Sequence, residues 1–362
     1  MSGRLKLRRG VVVSADPLEV DVDGERRRAW ADEVLLGEMR EGDEVVVNVA
    51  ALDLGLGSGG FDIVHLNLTR GLEGDGVEGG AHVIKLNYTS LQHPIEPVEG
   101  SDAPPFVSVD DHQEGAVEGG ATMPVGVLPL HGHLAPAAWA AAEAAPGLSV
   151  GYVQVAGGAL SGSFSRDVGE LRKRGLLCGH ITAGPAYGGE HEALSSLGAL
   201  DAARRLGWDA VLIGPGPGII GSNTEFGHGG IAALDSAHAA LALKLPTLVS
   251  PRLSSSDPRD RHLHLSHHTF TVLELLLGPV DVALPEGEIS GAREAERYLA
   301  DAAGERHRLR GTPVDLEAYA SSGLPTRTMG RGIDEDSLFF AAPLAAGTLL
   351  ARSAQSLARQ GL

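Results

Sequence analysis

Over the first hundred positions, apolar and polar residues alternate in short runs; beyond them the period lengthens. Runs at 5–13, 18–22, 26–30, 43–49, 61–68 and 82–86 predict strands. Asp23-Gly24 reads as a tight hairpin turn, and Glu41-Gly42-Asp43 as a turn before the fourth strand. Helix signals are few here, so residues 1–98 predict a small closed or nearly closed β-barrel. Glycines between positions 55 and 60 suit a bulge or a wide loop. An acidic stretch rich in Gly and Pro, 99–121, reads as a linker or loop.

From 122 onward the pattern becomes strand, helix, strand. Apolar runs at 125–130, 150–155, 180–183, 209–213, 246–250 and 280–284 alternate with helical spacing at 136–145, 165–174, 190–206, 231–243 and 268–277. Two further helices are predicted at 294–303 and 338–359. Such alternation predicts a parallel sheet with helices on both faces. The expected fold class is α/β: the N-terminal barrel, then a three-layer, Rossmann-like, mainly parallel domain over 122–362. In such sheets ligands bind outside the carboxyl ends of the strands, so the loops there are the candidate site.

Composition narrows the function classes. A formal net charge of −18 leaves no broad basic surface for nucleic acid and disfavours anionic lipid. Cys178 is the only cysteine, so neither an internal disulfide nor a Cys-x-x-Cys centre is available. Arg4, Lys6, Arg8 and Arg9 precede no long apolar segment. No uninterrupted apolar run approaches the roughly 20 residues of a membrane span. The expectation is a cytoplasmic protein with a small-molecule partner, and neither a nucleic-acid nor a membrane partner. Ala-rich helical stretches at 139–145 and 338–351 suit close packing in a homo-oligomer.

Five loops after the apolar runs are rich in Gly, His, Ser and Thr. The longest contains Gly216-Pro217-Gly218-Ile219-Ile220-Gly221, a G-x-G-x-x-G pattern whose backbone N–H groups can meet an anion. NAD(P) is disfavoured, because the next strand ends in Pro251-Arg252 and no helix starts directly after the motif. Ser222 stands where a phosphate-binding loop of the Walker type needs Lys. Asn223 and Thr224 extend the polar surface of this loop. His131-Gly132-His133 and Ser266-His267-His268 place imidazoles at two strand ends or helix starts, where they are acid/base or metal candidates. Asp257, Asp260 or Glu225 would complete a metal site, and Ser266 doubles as a helix N-cap. Arg252 would balance an anionic substrate. Thr328 and Arg331, in a Gly-flanked loop, are placed to close over the crevice. Ser161 and Ser163 lack the flanking glycines of a nucleophile elbow, Ser165 suits an N-cap, and Glu190 suits a helix start.

Segments spread over nearly the whole chain resemble the uncharacterised bacterial domain-of-unknown-function family 3866. They are residues 49–60, 84–92, 182–189, Ser266-His267-His268, and Thr328-Met329-Gly330-Arg331-Gly332. The resemblance implies no activity. A second stretch, Gly179-His180-Ile181-Thr182-Ala183-Gly184, is similar to the segment before the self-cleaving Asn-Cys pair of the pyruvoyl-forming subunits of glycine and D-proline reductases. Here Pro185-Ala186 stands in that place, so no pyruvoyl group is expected. The expected function is an enzyme binding a small polar or anionic metabolite, with the cofactor left open. The alternative is a non-catalytic ligand sensor or a homo-oligomeric assembly protein.

Overall fold

The computed structural model describes residues 4–57, 59–72, 80–100, 123–222 and 224–360. Two compact units, Met1–Ala81 and His82–Leu362, divide the chain. The first is a closed barrel of five strands, β1 (Leu7–Ala15), β2 (Leu18–Val22), β3 (Glu25–Trp30), β4 (Glu44–Asn48) and β5 (Asp62–Asn67), in the order β1-β2-β3-β5-β4. Alternation along these strands turns Val12, Val20, Val22, Val45, Val47 and Val64 inward, with Met39. Asp23 and Gly24 have φ of 55° and 85°, the two positive values a tight hairpin turn needs. Closure comes from β3 and β5, which pair in parallel. A Cβ at Gly10 would lie 2.5 Å from Val20 Cγ1, so glycine is required at this strand crossing.

The boundary at 81/82 falls earlier than the expected 98. The strand-like run at 82–86 forms β6 (Val83–Lys85), which pairs with β7 (His93–Ile95) in a separate ribbon of the second unit. Most of the acidic stretch, 101–121, lies outside the described residues, as does Ser58.

The second unit holds β8 (Val125–Val127), β9 (Val150–Val155), β10 (His180–Ala183), β11 (His191–Ala193), β12 (Ala210–Pro215), β13 (Thr247–Val249), β14 (Leu253–Ser254), β15 (His264–Leu265), β16 (Asp281–Glu286) and β17 (Arg308–Pro313). Eight of them make one parallel sheet, ordered β11-β10-β9-β12-β8-β13-β16-β17. The chain runs from β8 to one side and later returns to the other, so its carboxyl-end loops part at the sheet centre. β14 and β15 form a small antiparallel ribbon. Apolar cores cover both sheet faces, which makes three layers. One core uses the helices Leu134–Ala144 and Ser337–Gln360; the other uses Ser196–Arg205, Ala232–Ala242 and His267–Leu275.

Two predicted elements change. The helix expected over 190–206 shortens to Ser196–Arg205, because His191–Ala193 pairs with β10 and Ser195 caps the helix by accepting the Gly198 N–H. Glu190 therefore starts no helix and accepts from Arg172 instead. The Ala-rich helices pack on each other within the chain: a Cβ on Gly347 would lie 2.0 Å from the Ala137 carbonyl oxygen. Their small faces are already covered, so they supply no argument for a second subunit. Ser337–Gln360 is long and apolar enough to cross a membrane, but 72% of its apolar window is buried inside the fold, as in a core helix.

Candidate functional site

Loops from four strands meet at the sheet centre and enclose a cavity of about 520 Å³. The loop after β8 contributes His131 and Gly132, and the segment after β9 contributes Asp167. From the loop after β12 come Pro217 to Gly221, Thr224 and His228. The stretch after β13 supplies Arg252, Arg259, Arg261, His262, His267 and His268. Thr328 and Met329 reach in from the tip of a hairpin formed by β18 (Arg327–Thr328) and β19 (Arg331–Gly332).

The β12 loop is itself a hairpin. Gly221 bridges His228, Ser222 N–H donates to Gly227 at 2.7 Å, and Gly229 N–H donates to Ile220 at 2.8 Å. Thr224 lines the cavity, but its Oγ1 accepts from Gly227 N–H at 3.1 Å and meets Ser222 Oγ at 2.9 Å, so it also shapes the turn. This folding brings His228 against His268, with ring centroids 3.6 Å apart and planes 6° from parallel. His267 and His262 complete the group, at 4.4 and 4.9 Å from the His268 ring. One ring nitrogen each from His228, His267 and His268 lies within 4.8 Å of the others, which makes them the residues able to hold a metal. Ser266 does cap the helix His267–Leu275, as expected, and its Oγ also lies 2.7 Å from His262 Nδ1.

A charged layer supports this cluster. Arg252 is buried; its Nη1 lies 3.4 Å from His268 Nδ1 and its Nη2 donates to Asp257 at 3.5 Å. Asp257 also accepts from Arg259 at 2.8 Å and from Arg331 at 3.2 Å. Burial opposes the Asp257 charge, but the arginines outweigh it and hold the carboxyl well below its usual range. Burial, then Arg259 and Arg331, push the Arg252 guanidinium down to about 10. Burial, with Arg252 close by, lowers His262 to about 3, His267 to about 4 and His268 to about 2. All three imidazoles are therefore neutral near pH 7.

His131 and Asp167 also line the cavity. His131 Nε2 lies 2.7 Å from Ser165 Oγ and 3.9 Å from Asp167. Ser165 Oγ accepts the Val168 N–H as an N-cap, which fixes Asp167 in the first helical turn. Burial raises the Asp167 carboxyl and pushes His131 down to about 4. The pair can exchange protons with a bound molecule without carrying fixed opposite charges.

Gly218, Gly221, Thr224, Arg252, Thr328, His131, His267 and His268 thus share one cavity. His133 does not join them: the short helical turn His131–His133 sends it inward, where Nδ1 lies 2.9 Å from Ser250 Oγ and the ring meets Phe339 edge-on. It cannot share a metal with His131 from there. Gly216 packs between loops, since a Cβ there would lie 2.2 Å from the Ala159 carbonyl oxygen. Arg331 is tied to Asp257 and to Asp336, where Nε donates at 3.0 Å, and does not line the cavity. Asn223 lies outside the described residues. Asp257 braces the arginines from behind, and Asp260 and Glu225 do not line the cavity. Sequence reasoning missed His228, His262, Arg259, Arg261 and Asp167. The signals were there in part: His228 sits in Gly227-His228-Gly229-Gly230, and His262 ends a dense run of Arg, Asp and His.

The family model described as "Protein of unknown function (DUF3866)" matches residues 28–347. The chain belongs to this family. No curated protein and no solved structure matches it. The family's span takes in every cavity residue named above, together with the end of β3, β4 and β5 of the barrel.

Proposed function

We propose that this chain is an enzyme acting on a small anionic metabolite, one bearing phosphate or carboxylate, at the carboxyl edge of its parallel sheet. One observation carries the reading: Arg252, Arg259 and Arg261 line one cavity in which Asp167 is the one carboxylate among the described lining residues, while Asp257, which accepts from Arg252 and Arg259, stands behind the wall. Arginine forks match the geometry of phosphate and carboxylate oxygens, and a partly desolvated cavity strengthens the match. The exposed N–H groups of the Gly218–Gly221 turn add uncharged donors at the rim. Asp167 and His131, which line the same cavity, supply the proton transfer that turns binding into chemistry.

Mass spectrometry of small molecules retained by the native protein tests this reading, followed by titration of the retained compound. A phosphate- or carboxylate-bearing compound is expected. Arg252→Met should weaken its binding by about 10- to 100-fold, the equivalent of a lost charge-assisted hydrogen bond of roughly 1.5–3 kcal/mol. Asp167→Asn should retain binding and lose turnover. Retention of neutral or cationic compounds alone would overturn the proposal. An anion bound but never converted would favour the ligand sensor.

A further inference from the structure

We propose that His228, His267 and His268 bind one divalent first-row transition metal ion, zinc foremost, on the cavity wall. This goes beyond the anion reading and does not depend on it, because metal content is measured with no substrate present. Zinc–imidazole bonds of about 2.0–2.1 Å in a tetrahedral site put ligand nitrogens roughly 3.3–3.4 Å apart. The three nitrogens lie within 4.8 Å of one another, so an ion would draw them together by roughly an ångström and turn His228 and His268 out of their parallel stack.

Two features favour an ion over a purely structural cluster. Both ring nitrogens of His228 are buried, and the Glu225 backbone beside the ring does not complete a hydrogen bond of good geometry with either. A buried polar group without a partner is rare in native proteins, and an ion is one of the standard reasons for it. The backbone that presents the three imidazoles is fixed as well: Ser266 caps the helix that carries His267 and His268, and the Gly221 bridge holds His228. Even the gap beside the cluster is kept by glycine, since a Cβ on Gly230 would lie 3.0 Å from His268 Nδ1 and 3.1 Å from His228 Nδ1.

The donor set selects the metal class. Three nitrogen donors without a carboxylate suit zinc, nickel, copper or iron, whereas magnesium and calcium demand oxygen. Arg252 beside His268 opposes a dication, and the ionised Asp257 carboxylate, 3.5 Å from the same guanidinium, offsets part of that repulsion. His262, 5.0 Å from the His267 ring, stands beside the trio as a fourth imidazole.

Elemental analysis of protein purified without chelator is the first test, with about one equivalent of a transition metal per chain expected. Chelator-stripped protein should then take up cobalt(II) with a ligand-field spectrum. His228→Ala and His267→Gln should each weaken cobalt binding by more than about 10-fold, given that even outer partners of metal ligands are worth that much. His65→Ala, in the barrel, should leave it unchanged. Absence of stoichiometric metal together with no cobalt uptake overturns the proposal, and so does equal uptake by the folded trio variants. Should those variants fail to fold, X-ray absorption of cobalt-loaded wild-type protein decides: imidazole scattering supports the site, and a shell of oxygens alone overturns it.

Discussion

The barrel and the cavity both hold charged and polar groups out of water, and they treat them in opposite ways. In the barrel, each buried carboxylate named here is matched. Asp43 accepts from Arg70, from the Arg40 N–H at 2.9 Å and from Asn67 at 3.0 Å. Asp62 accepts from Arg27 at 2.6 Å, and the same guanidinium reaches Asp53 at 2.8 Å. Around the cavity the pairing is thinner: Arg252 and Arg259 share Asp257, Asp167 is the one carboxylate among the described lining residues, and neither buried ring nitrogen of His228 makes a hydrogen bond of good geometry. Matched polarity keeps a fold together. Polarity left unmatched at the edge of a void is costly unless something arrives to match it.

Acid should separate the two regions most strongly. Burial lowers His131 to about 4 and both His133 and His180 to about 3, from an ordinary value of 6.5. Folded-state values below the unfolded one mean that the unfolded chain binds protons first. Their contribution is therefore complete above pH 6.5 and is lost progressively as pH falls toward 4 and then 3. Each unit of depression carries about 1.4 kcal/mol, and three imidazoles act together, so the effect is large. In the barrel, burial alone would raise Asp43, but Arg70, Arg40 N–H and Asn67 outweigh it and hold the carboxyl below 3.8. That contribution is full above the unfolded carboxyl range and fades only below it. Segment-resolved hydrogen exchange between pH 7 and 4 should show the α/β unit losing protection first. Equal loss in both, or loss in the barrel first, would break the comparison.

A substitution in the barrel comes next in size. Arg27→Met strands Asp62, whose side chain is 1% exposed, while Asp53 keeps Lys6. Removing one partner of a buried ion pair costs about 3–5 kcal/mol. A urea melt should show that loss, with metal content and anion affinity unchanged. Arg252→Met makes the sharper contrast. Asp257 keeps Arg259 and Arg331, so stability should fall by less than in Arg27→Met, while anion affinity falls.

How much of this was legible in the sequence differs between the same two regions. Period-2 alternation and Asp23-Gly24 announce the barrel strands, because a side chain's face in a strand depends only on parity. Closure through the parallel β3–β5 pair is not legible, since it joins residues some thirty apart with no turn between them. The alternation of strands and helices likewise announces the parallel sheet, and with it the edge where the cavity lies. Residue assignment there was weaker. His131-Gly132-His133 looks like a shared pair, but a tight helical turn sends alternate side chains to opposite sides, one to the cavity and one to Ser250. His228 reaches His268 only because the β12 loop folds back on itself, a non-local event that leaves just flanking glycines as its trace.

The smallest effect lies in the β18–β19 hairpin. Its two turn residues, Met329 and Gly330, have φ of 47° and 81°, a turn that favours Gly, Asn or Asp at both places. Met in the left-handed region costs about 1–2 kcal/mol. Yet its side chain is half exposed at the cavity mouth, with Sδ 3.6 Å from Arg252 Nη2. Met329→Gly relieves the backbone and adds freedom to the unfolded chain, so the two effects largely cancel, leaving a net change within about 1 kcal/mol. Anion release should quicken a few-fold, because the thioether no longer covers the guanidinium. A thermal melt beside a stopped-flow release measurement reads both quantities. Unchanged release with a clearly lowered melting temperature would move Met329 to the other side of the comparison, as a fold contact of the kind Arg27 makes in the barrel.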